Sequence, residues 1–262
     1  MLIHIQQHLS GHPWCHQIHF FETIDSTNTC AKQMARQGAP EGTVVIANQQ
    51  TGGRGRLSRS FSSPAGMGIY MSVILRPACP PEQLMHLTCA AGLAACLAVE
   101  EAHSIHPGIK WTNDLILERR KLGGILTELS VDPATGLVDW VIVGIGINCC
   151  QKAPDFPPDI RDIACSLGIK PQDIPTLTAC LIRQLHIMRG ALFAEKAKIM
   201  ENFCDRCITI GQDISILRGD EVRHGKAIGV DSDGGLQVKY PDGTEFRVTS
   251  GEVSIRGMYG YV

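Results

Sequence analysis

The sequence predicts an α+β domain followed by a small all-β module, and three observations support this. Over the first 207 residues, strand-like segments alternate with longer apolar segments of helical period. From Ile208 onward, short alternating strands are separated by Asp-Gly turn signals at residues 231–235 and 241–244. The length of 262 residues is sufficient for one main core plus an appended module. We therefore predict domains at residues 1–207 and 208–262.

Caps, breakers and periodicity predict the elements of the first domain. A helix is expected from about Thr27 to Gln37, with its N-cap at Ser26 or Asp25. The other expected elements are strands over 44–47, 68–75, 114–118, 122–129 and 138–148, one long buried helix over 82–103, and one helix from about 177 to 203. A glycine- and arginine-rich loop joins the first two strands, and we expect it at an edge of the sheet, where it can fold over a ligand.

The second domain has about 55 residues, a length that suits a five-stranded SH3-like β-barrel. A core of that size is small for independent stability. We therefore expect the barrel to lean on the first domain.

Charge and composition exclude several classes of protein. A formal net charge of −2 provides no basic field for nonspecific binding to nucleic acid or membranes. The first 20 residues lack the basic start and uninterrupted apolar run of a signal peptide or a membrane span. We expect a cytoplasmic protein without membrane attachment.

The cysteines and histidines suggest no metal site. Most of the eleven cysteines are expected to be reduced core thiols, because they occupy alanine-like positions of apolar helical patterns, as do Cys30, Cys89, Cys96 and Cys180. Cys204 and Cys207 form a C-x-x-C pair, yet zinc needs a second ligand pair and a redox motif needs a thioredoxin-like context. The histidines of residues 4–19 lack carboxylate or cysteine partners, so we predict an exposed, histidine-rich N-terminal segment.

Residues 50–61, QTGGRGRLSRSF, form a loop suited to anions. Its glycines let backbone N–H groups approach a ligand, and Arg54, Arg56 and Arg59 offer charged, planar donors to carboxylate or phosphate. A solvated basic turn is the alternative. The loop is not a P-loop, and the later G-x-G is not a dinucleotide fingerprint, because neither has the required spacing.

The stretch VGIGIN places Gly144, Gly146 and Asn148 on one face of a strand, because side chains alternate with period two. Glycine weakens a strand, so two in register predict a bare wall that a ligand or another backbone approaches closely. Tight packing against a helix is the alternative.

Two further segments offer polar groups. In KWTND, Lys110 is a cation, the Asn113 amide can read a nucleobase edge, and the Asp114 carboxylate can hold Mg²⁺ or form an Asx-turn. In KLGG, Lys121 stands beside the open backbone of two glycines, which suits a carboxylate or phosphate; a solvated turn lysine is the alternative.

Five motifs together resemble the catalytic domain of biotin protein ligases. They are D-S-T-N at residues 25–28, Q-x-x-G-R-G-R at 50–56, K-W-x-N-D at 110–114, K-L-G-G at 121–124 and G-x-G-x-N at 144–148. The segment G-E-V-S-I-R at residues 251–256 is similar to the family's closing strand. The resemblance implies a central mixed or antiparallel sheet with helices, as in class II aminoacyl-tRNA synthetases, plus the SH3-like barrel.

The resemblance also implies a reaction: ATP activates biotin as biotinyl-5′-AMP, and a lysine of a biotin carboxyl carrier domain, from acetyl-CoA carboxylase or a related carboxylase, accepts the biotin. Lys121, Arg54 and Asp114 would be catalytic, with Asp114 near Mg²⁺. The biotin-binding residues would be Ser26, Thr27, Gln50, Gly53, Arg54, Lys121, Gly124 and Gly144. The ATP- and adenylate-binding residues would be Arg56, Arg59, Phe61, Lys110, Asn113 and Asn148.

The sequence departs from the family pattern at four positions. Thr112 stands where the family usually has proline, so the bend after Trp111 is less fixed. Phe61 replaces tryptophan, which keeps a stacking face but removes an N–H donor. Leu57 and Ser58 replace a more basic and glycine-rich continuation of the loop, which puts in question how the loop orders on a ligand.

Three alternative functions are open to the sequence. A lipoate ligase of the same fold would differ in its C-terminal region, and an inactive biotin sensor would lose the activating residues. A DNA-binding repressor would need an N-terminal module, for which the roughly 20 residues before the core are too few, so we expect no DNA binding. A sheet edge near the site could receive the carrier or form a homodimer.

Overall fold

A seven-stranded mixed sheet forms the centre of the first domain. In the computed structural model, which describes residues 1–218, 221–249 and 254–257, its strands have the order β1-β2-β3-β7-β6-β5-β4. They are β1 (Ile18–Ile24), β2 (Val44–Gln50), β3 (Gly68–Leu75), β4 (Gly108–Lys110), β5 (Asp114–Leu117), β6 (Arg120–Val131) and β7 (Val138–Asn148). Only the β1–β2 pair is parallel among these strand pairs. The predicted fold class is confirmed.

Five α-helices accompany this sheet in the described residues. They are α1 (Leu2–His8), α2 (Thr27–Arg36), α3 (Leu87–His103), α4 (Ile174–Ala191) and α5 (Lys196–Arg206). One face of the sheet carries residues such as Val73, Val143 and Ile145 into the main core, which it shares with α3 and α4. The opposite face packs Ile74 and Ile142 against Ala31 of α2.

The predicted helix over residues 177–203 is wrong, because the chain forms two helices there, α4 and α5. Residues 192–195 are good helix formers, so local propensity shows no break. The interruption is fixed by tertiary contact: Leu192 is buried, and its carbonyl accepts a hydrogen bond from Nε2 of His86 at 2.9 Å. The helix expected over 82–103 likewise begins later, at Leu87, after a short 3₁₀ turn at Pro81–Leu84.

The N-terminal segment is a helix packed on the core, which corrects the prediction of an exposed segment. Ile5 and Leu9 are fully buried, and Trp14 lies edge-on to His186 of α4, with ring centroids 5.0 Å apart. The sequence interpretation considered only the histidines of this segment and overlooked the apolar residues at helical spacing between them. His8 faces solvent, whereas the apolar residues between the histidines face the core.

One segment, Pro81–His103, is long and apolar enough by composition to cross a membrane, and it is the one such helix that the described residues contain. Within the protein, 72% of its apolar window is buried against neighbouring elements. This is the behaviour of a core helix. The predicted core thiols Cys89 and Cys96 lie in it and are buried, and burial raises the pKa of each to about 12.

The C-terminal residues form a second, five-stranded antiparallel sheet of order β11-β10-β9-β8-β12. Its strands are β8 (Asp213–Arg218), β9 (Glu221–Val230), β10 (Leu236–Lys239), β11 (Glu245–Val248) and β12 (Ser254–Gly257). The two Asp-Gly signals form the β9–β10 and β10–β11 turns, where Gly234 and Gly243 have φ of +84° and +87°. Of residues 251–256, predicted as the closing strand, 251–253 lie outside the described residues and 254–256 pair with β8.

Candidate active site

The candidate site lies on the sheet face beside the N-terminus of α2, under the glycine- and arginine-rich loop of residues 50–61. The loop joins β2 and β3, the second and third strands of the sheet, so its predicted position at the sheet edge is wrong. It closes on itself, since Phe61 N–H donates to Gly53 O at 2.9 Å and Gly55 N–H donates to Arg59 O at 2.7 Å.

The two glycines of β7 each have a protein side chain close to them, so side chains of the protein make a close approach at this part of the strand. A Cβ placed on Gly144 would lie 2.0 Å from Oδ1 of Asn28. A Cβ on Gly146 would lie 2.6 Å from Cε1 of Phe61. The glycines therefore leave room for these two side chains against the sheet.

The predicted biotin-binding residues near α2 come together through one amide. Oε1 of Gln50 accepts hydrogen bonds from the backbone N–H of Thr27 at 2.8 Å and from Thr27 Oγ1 at 3.1 Å. Nε2 of Gln50 donates to Oγ of Ser63 at 2.8 Å. Ser26 occupies the N-cap position of α2 without a side-chain capping hydrogen bond and is buried, and a Cβ on Gly53 would collide with Phe61 O at 2.3 Å.

A second polar cluster, which the sequence analysis missed, lies deeper under α2. Ser72 Oγ lies 2.6 Å from Asn28 Oδ1, and Asn28 Nδ2 donates to Glu128 Oε2 at 2.9 Å. Glu128 also pairs with Lys32 at 2.9 Å and with Arg54 at 3.5 Å. One signal was available, because Asn28 belongs to the D-S-T-N motif and Glu128 lies four residues beyond Gly124, on the same strand face.

Glu128 stays ionised in this cluster. Burial alone would raise its pKa, but hydrogen bonds from Asn28 and Lys32, with the charges of Lys32 and Arg54, hold the pKa below its ordinary value. The carboxylate therefore connects the glycine- and arginine-rich loop to α2 by charge.

The predicted nucleotide side forms a chain of polar contacts. Arg56 Nη1 donates to Asn113 Oδ1 at 2.8 Å, and Asn113 Nδ2 donates to Asp114 Oδ1 at 3.2 Å. Lys121 Nζ forms an ion pair with the same Asp114 oxygen at 2.7 Å. Burial lowers the pKa of Arg56, and the charge of Asp114 opposes this. Two cations thus flank one carboxylate and one amide.

A β-bulge places Lys121 in this group. Leu115 pairs with Gly123 while its neighbour Ile116 pairs with Lys121, so β6 has one extra residue, Leu122, at this point. Leu122 is fully buried in the main core. Lys121 consequently lies on the face of Gly124, and its Cε is 3.6 Å from a Cβ placed there.

Three further predicted residues differ in exposure. Arg59 is exposed. Lys110 is buried in β4, with 7% of its surface exposed. Asn148 is buried as well, and both ends of its amide are engaged, with Nδ2 donating to Cys165 O at 3.0 Å and Oδ1 accepting from Gln151 Nε2 at 3.2 Å.

Comparison with known proteins identifies the family. Residues 20–148 match the model of the biotin/lipoate A/B protein ligase family, and residues 209–256 match the biotin protein ligase C-terminal domain. The bifunctional ligase/repressor BirA of Bacillus subtilis is 33% identical over 90% of this chain and 73% of its own length. The chain belongs to the biotin protein ligase family. The predictions of family, fold class and biotin ligase activity are confirmed.

Other biotin protein ligases agree with this assignment. The biotin–[acetyl-CoA-carboxylase] ligase of Mycobacterium tuberculosis is 30% identical over 87% of this chain and 84% of its own length. A solved biotin protein ligase from Aquifex aeolicus, in complex with biotin and ATP, superposes with a TM-score of 0.77 at 28% identity, covering 92% of this chain and 98% of that one.

Proposed function

We propose that this biotin protein ligase activates biotin with ATP and then transfers it to a lysine of a biotin carboxyl carrier domain. One observation carries the proposal: the sheet face brings an amide and hydroxyl cluster at α2 next to a second cluster that contains Lys121 and Arg56. The first suits an uncharged polar head group, and the second suits a carboxylate and phosphates. The solved relative that binds biotin and ATP supports the pairing of these ligands.

The reaction requires positioning and charge neutralisation. The biotin carboxylate oxygen bonds to the α-phosphorus of ATP as pyrophosphate leaves, and the carrier amine then attacks the carbonyl carbon, loses a proton and releases AMP. The first step brings two anions together, so fixed cations at the meeting point lower its barrier. Lys121 and Arg54 are proposed for that position.

The remaining roles follow from position. Ser26, Thr27 and Gln50 would bind the biotin head group, with Gly53, Gly124 and Gly144 lining the site. Arg56, Arg59, Phe61, Lys110 and Asn113 would contact the nucleotide, and the Phe61 ring, now over Gly146, would move or offer its other face to adenine. Asn148 fits this role less well, because the protein already uses both ends of its amide.

A magnesium ion fits the position of Asp114, next to Lys121 and Asn113. Magnesium is commonly held by one or two carboxylates together with substrate phosphates, and Asp114 offers a carboxylate, whose Oδ1 accepts a hydrogen bond from Asn113 Nδ2. Asp114 would hold the ion in place of its ion pair with Lys121, and the ion would offset phosphate charge. Lys121 would then be released toward the biotin carboxylate.

Two properties outside the site belong to the same proposal. A cytoplasmic location is supported by the eleven free thiols, since reducing compartments keep cysteines unpaired.

Docking of the carrier, or of a second copy in a homodimer, is proposed at β1, which among the described strands pairs with β2 alone.

The test is biotin-dependent exchange of labelled pyrophosphate into ATP, with lipoate as the competing acid and the carrier left out. Exchange with biotin alone is expected. Exchange with lipoate alone would move the chain to lipoate ligation, and biotin binding without exchange would indicate a sensor.

A further inference from the structure

Trp111 connects the small C-terminal sheet to the proposed nucleotide side. Its backbone N–H donates to Thr209 Oγ1 at 2.9 Å, and its indole Nε1–H donates to Gly234 O at 2.7 Å. Both acceptors lie in the predicted second domain, whereas Trp111 opens the segment that carries Asn113 and Asp114. The indole is buried, so each bond is shielded from water.

The turn around Gly234 is shaped for this contact. Gly234 has φ of +84°, a conformation that suits glycine, and Oδ1 of Asp231 accepts the N–H groups of Asp233 and Gly235 at 2.8 and 3.0 Å. On its outer side, Asp233 pairs with Lys196 of α5 at 2.5 Å. The turn is therefore held in place and presents a fixed carbonyl to Trp111.

The turn also connects to Thr112, the residue after Trp111, through the side chain of Cys89. A Cβ on Gly234 would lie 3.0 Å from Sγ of Cys89, and that sulfur lies 3.3 Å from Oγ1 of Thr112. Thr112 directly precedes Asn113, which accepts the Arg56 hydrogen bond. A displacement of the turn would thus reach the polar chain of the site through two packed contacts.

We infer that the Gly234 turn positions the nucleotide side of the active site, and that Trp111 and Gly234 are positioning residues for ATP. This inference rests on the proposed function for its account of which ligand the segment meets. The carbonyl of Gly234 fixes the Trp111 indole, and Trp111 sets where Asn113 and Asp114 stand. The biotin side is built on α2 and Gln50, neither of which belongs to the turn, so we expect biotin binding to be independent of it.

The experiment compares Gly234→Ala with Gly243→Ala in the full chain. Both glycines sit in Asp-Gly turns of the same sheet with φ near +85°, but a Cβ on Gly243 meets nothing within 4 Å. Backbone strain is therefore matched, and only Gly234→Ala presses on Cys89. Calorimetry of ATP and of biotin, each alone, gives two affinities per variant, and pyrophosphate exchange gives the KM for ATP.

We expect Gly234→Ala to weaken ATP binding and raise its KM about tenfold, because small misplacements of positioning groups are costly, with biotin affinity unchanged. Gly243→Ala should match the wild type. Trp111→Phe, which removes the indole N–H and keeps an aromatic ring, should shift ATP in the same direction.

Equal ATP affinities in all four proteins would overturn the inference, as would a parallel loss of biotin and ATP affinity with a lowered unfolding midpoint. Absence of exchange in the wild type would instead count against the proposed function. In that case, the ATP affinities of Gly234→Ala and Gly243→Ala would still decide whether the turn positions the nucleotide side.

Discussion

Replacing Gly144 with alanine is expected to destabilise the protein by displacing the Asn28 side chain. The new methyl carbon would lie 2.0 Å from Asn28 Oδ1 and 2.8 Å from its Cγ, far inside van der Waals contact. Backbone on both neighbouring strands prevents β7 from moving away, because Gly144 pairs with Ser72 on one side and Leu126 on the other. The asparagine must therefore give way.

The size of the effect follows from the hydrogen bonds that Asn28 would lose. It accepts one from Ser72 and donates one to Leu126 O at 3.3 Å, and a neutral bond contributes about 1 kcal/mol. It donates a third to the Glu128 carboxylate, and bonds to charged groups contribute about 1.5–3 kcal/mol. Together these give a loss of about 3–5 kcal/mol in the free energy of unfolding.

Urea denaturation of four proteins measures this: the wild type, Gly144→Ala, Asn28→Ala and the double variant. Once Asn28 is shortened, the methyl group has space, so adding Gly144→Ala to Asn28→Ala should cost less than about 1 kcal/mol. If Gly144→Ala costs the same in both backgrounds, the steric reasoning is refuted.

Three further predictions concern charge and burial. Lys121→Ala should lower biotin-dependent pyrophosphate exchange by about 10²–10³-fold or more, because one fixed donor to developing charge is lost, while the unfolding midpoint stays near that of the wild type. Because Glu128 has a lowered pKa in the folded state, its contribution to stability should be complete above the ordinary glutamate pKa and lost as pH falls through the lower folded value; in Glu128→Gln, the acid limb of stability against pH should be flatter. Cys89 and Cys96, with pKa raised to about 12, should resist iodoacetamide at pH 8 until the protein is unfolded.

Each of these has a contrary result. Normal exchange by Lys121→Ala would remove Lys121 from the reaction. Identical acid limbs for Glu128→Gln and the wild type would mean that the carboxylate titrates as it does in the unfolded chain. Rapid alkylation of Cys89 in the native protein would mean that α3 opens to solvent.

The sequence predicted best where burial and turn signals agree. The strands at 68–75 and 138–148 have the predicted bounds, because long apolar runs there are bordered by glycine, proline or polar residues. The two outermost strands, β1 and β4, were missed. β1 is half exposed and β4 has three residues, so neither carries a clear alternating pattern.

Within the site, the sequence identified residue types but not their partners. Gly144 was recognised as unusual, yet what fills its space is Asn28, from a helix more than 100 residues earlier in the chain. Glu128 and Ser72 fit any strand pattern, and their importance arises from a cluster that forms only in the folded sheet. The bulge at Leu122 has no local sequence signal, because its cause is the pairing of β6 with β5.

That bulge adds one buried apolar residue, Leu122, to β6 while Lys121 and Gly124 lie on the same face. The alternation of side chains between the two faces of β6 shifts by one residue at the bulge. From Gly124 to Glu128 the even-numbered side chains face the site, whereas before Leu122 the side chain of the odd-numbered Lys121 faces it. Substituting Leu122 with another apolar residue changes volume alone. Deleting it would restore one uninterrupted alternation in which Lys121, then two residues before Gly124, still faces the site, so the deletion would remove a buried leucine without moving the lysine to the other face.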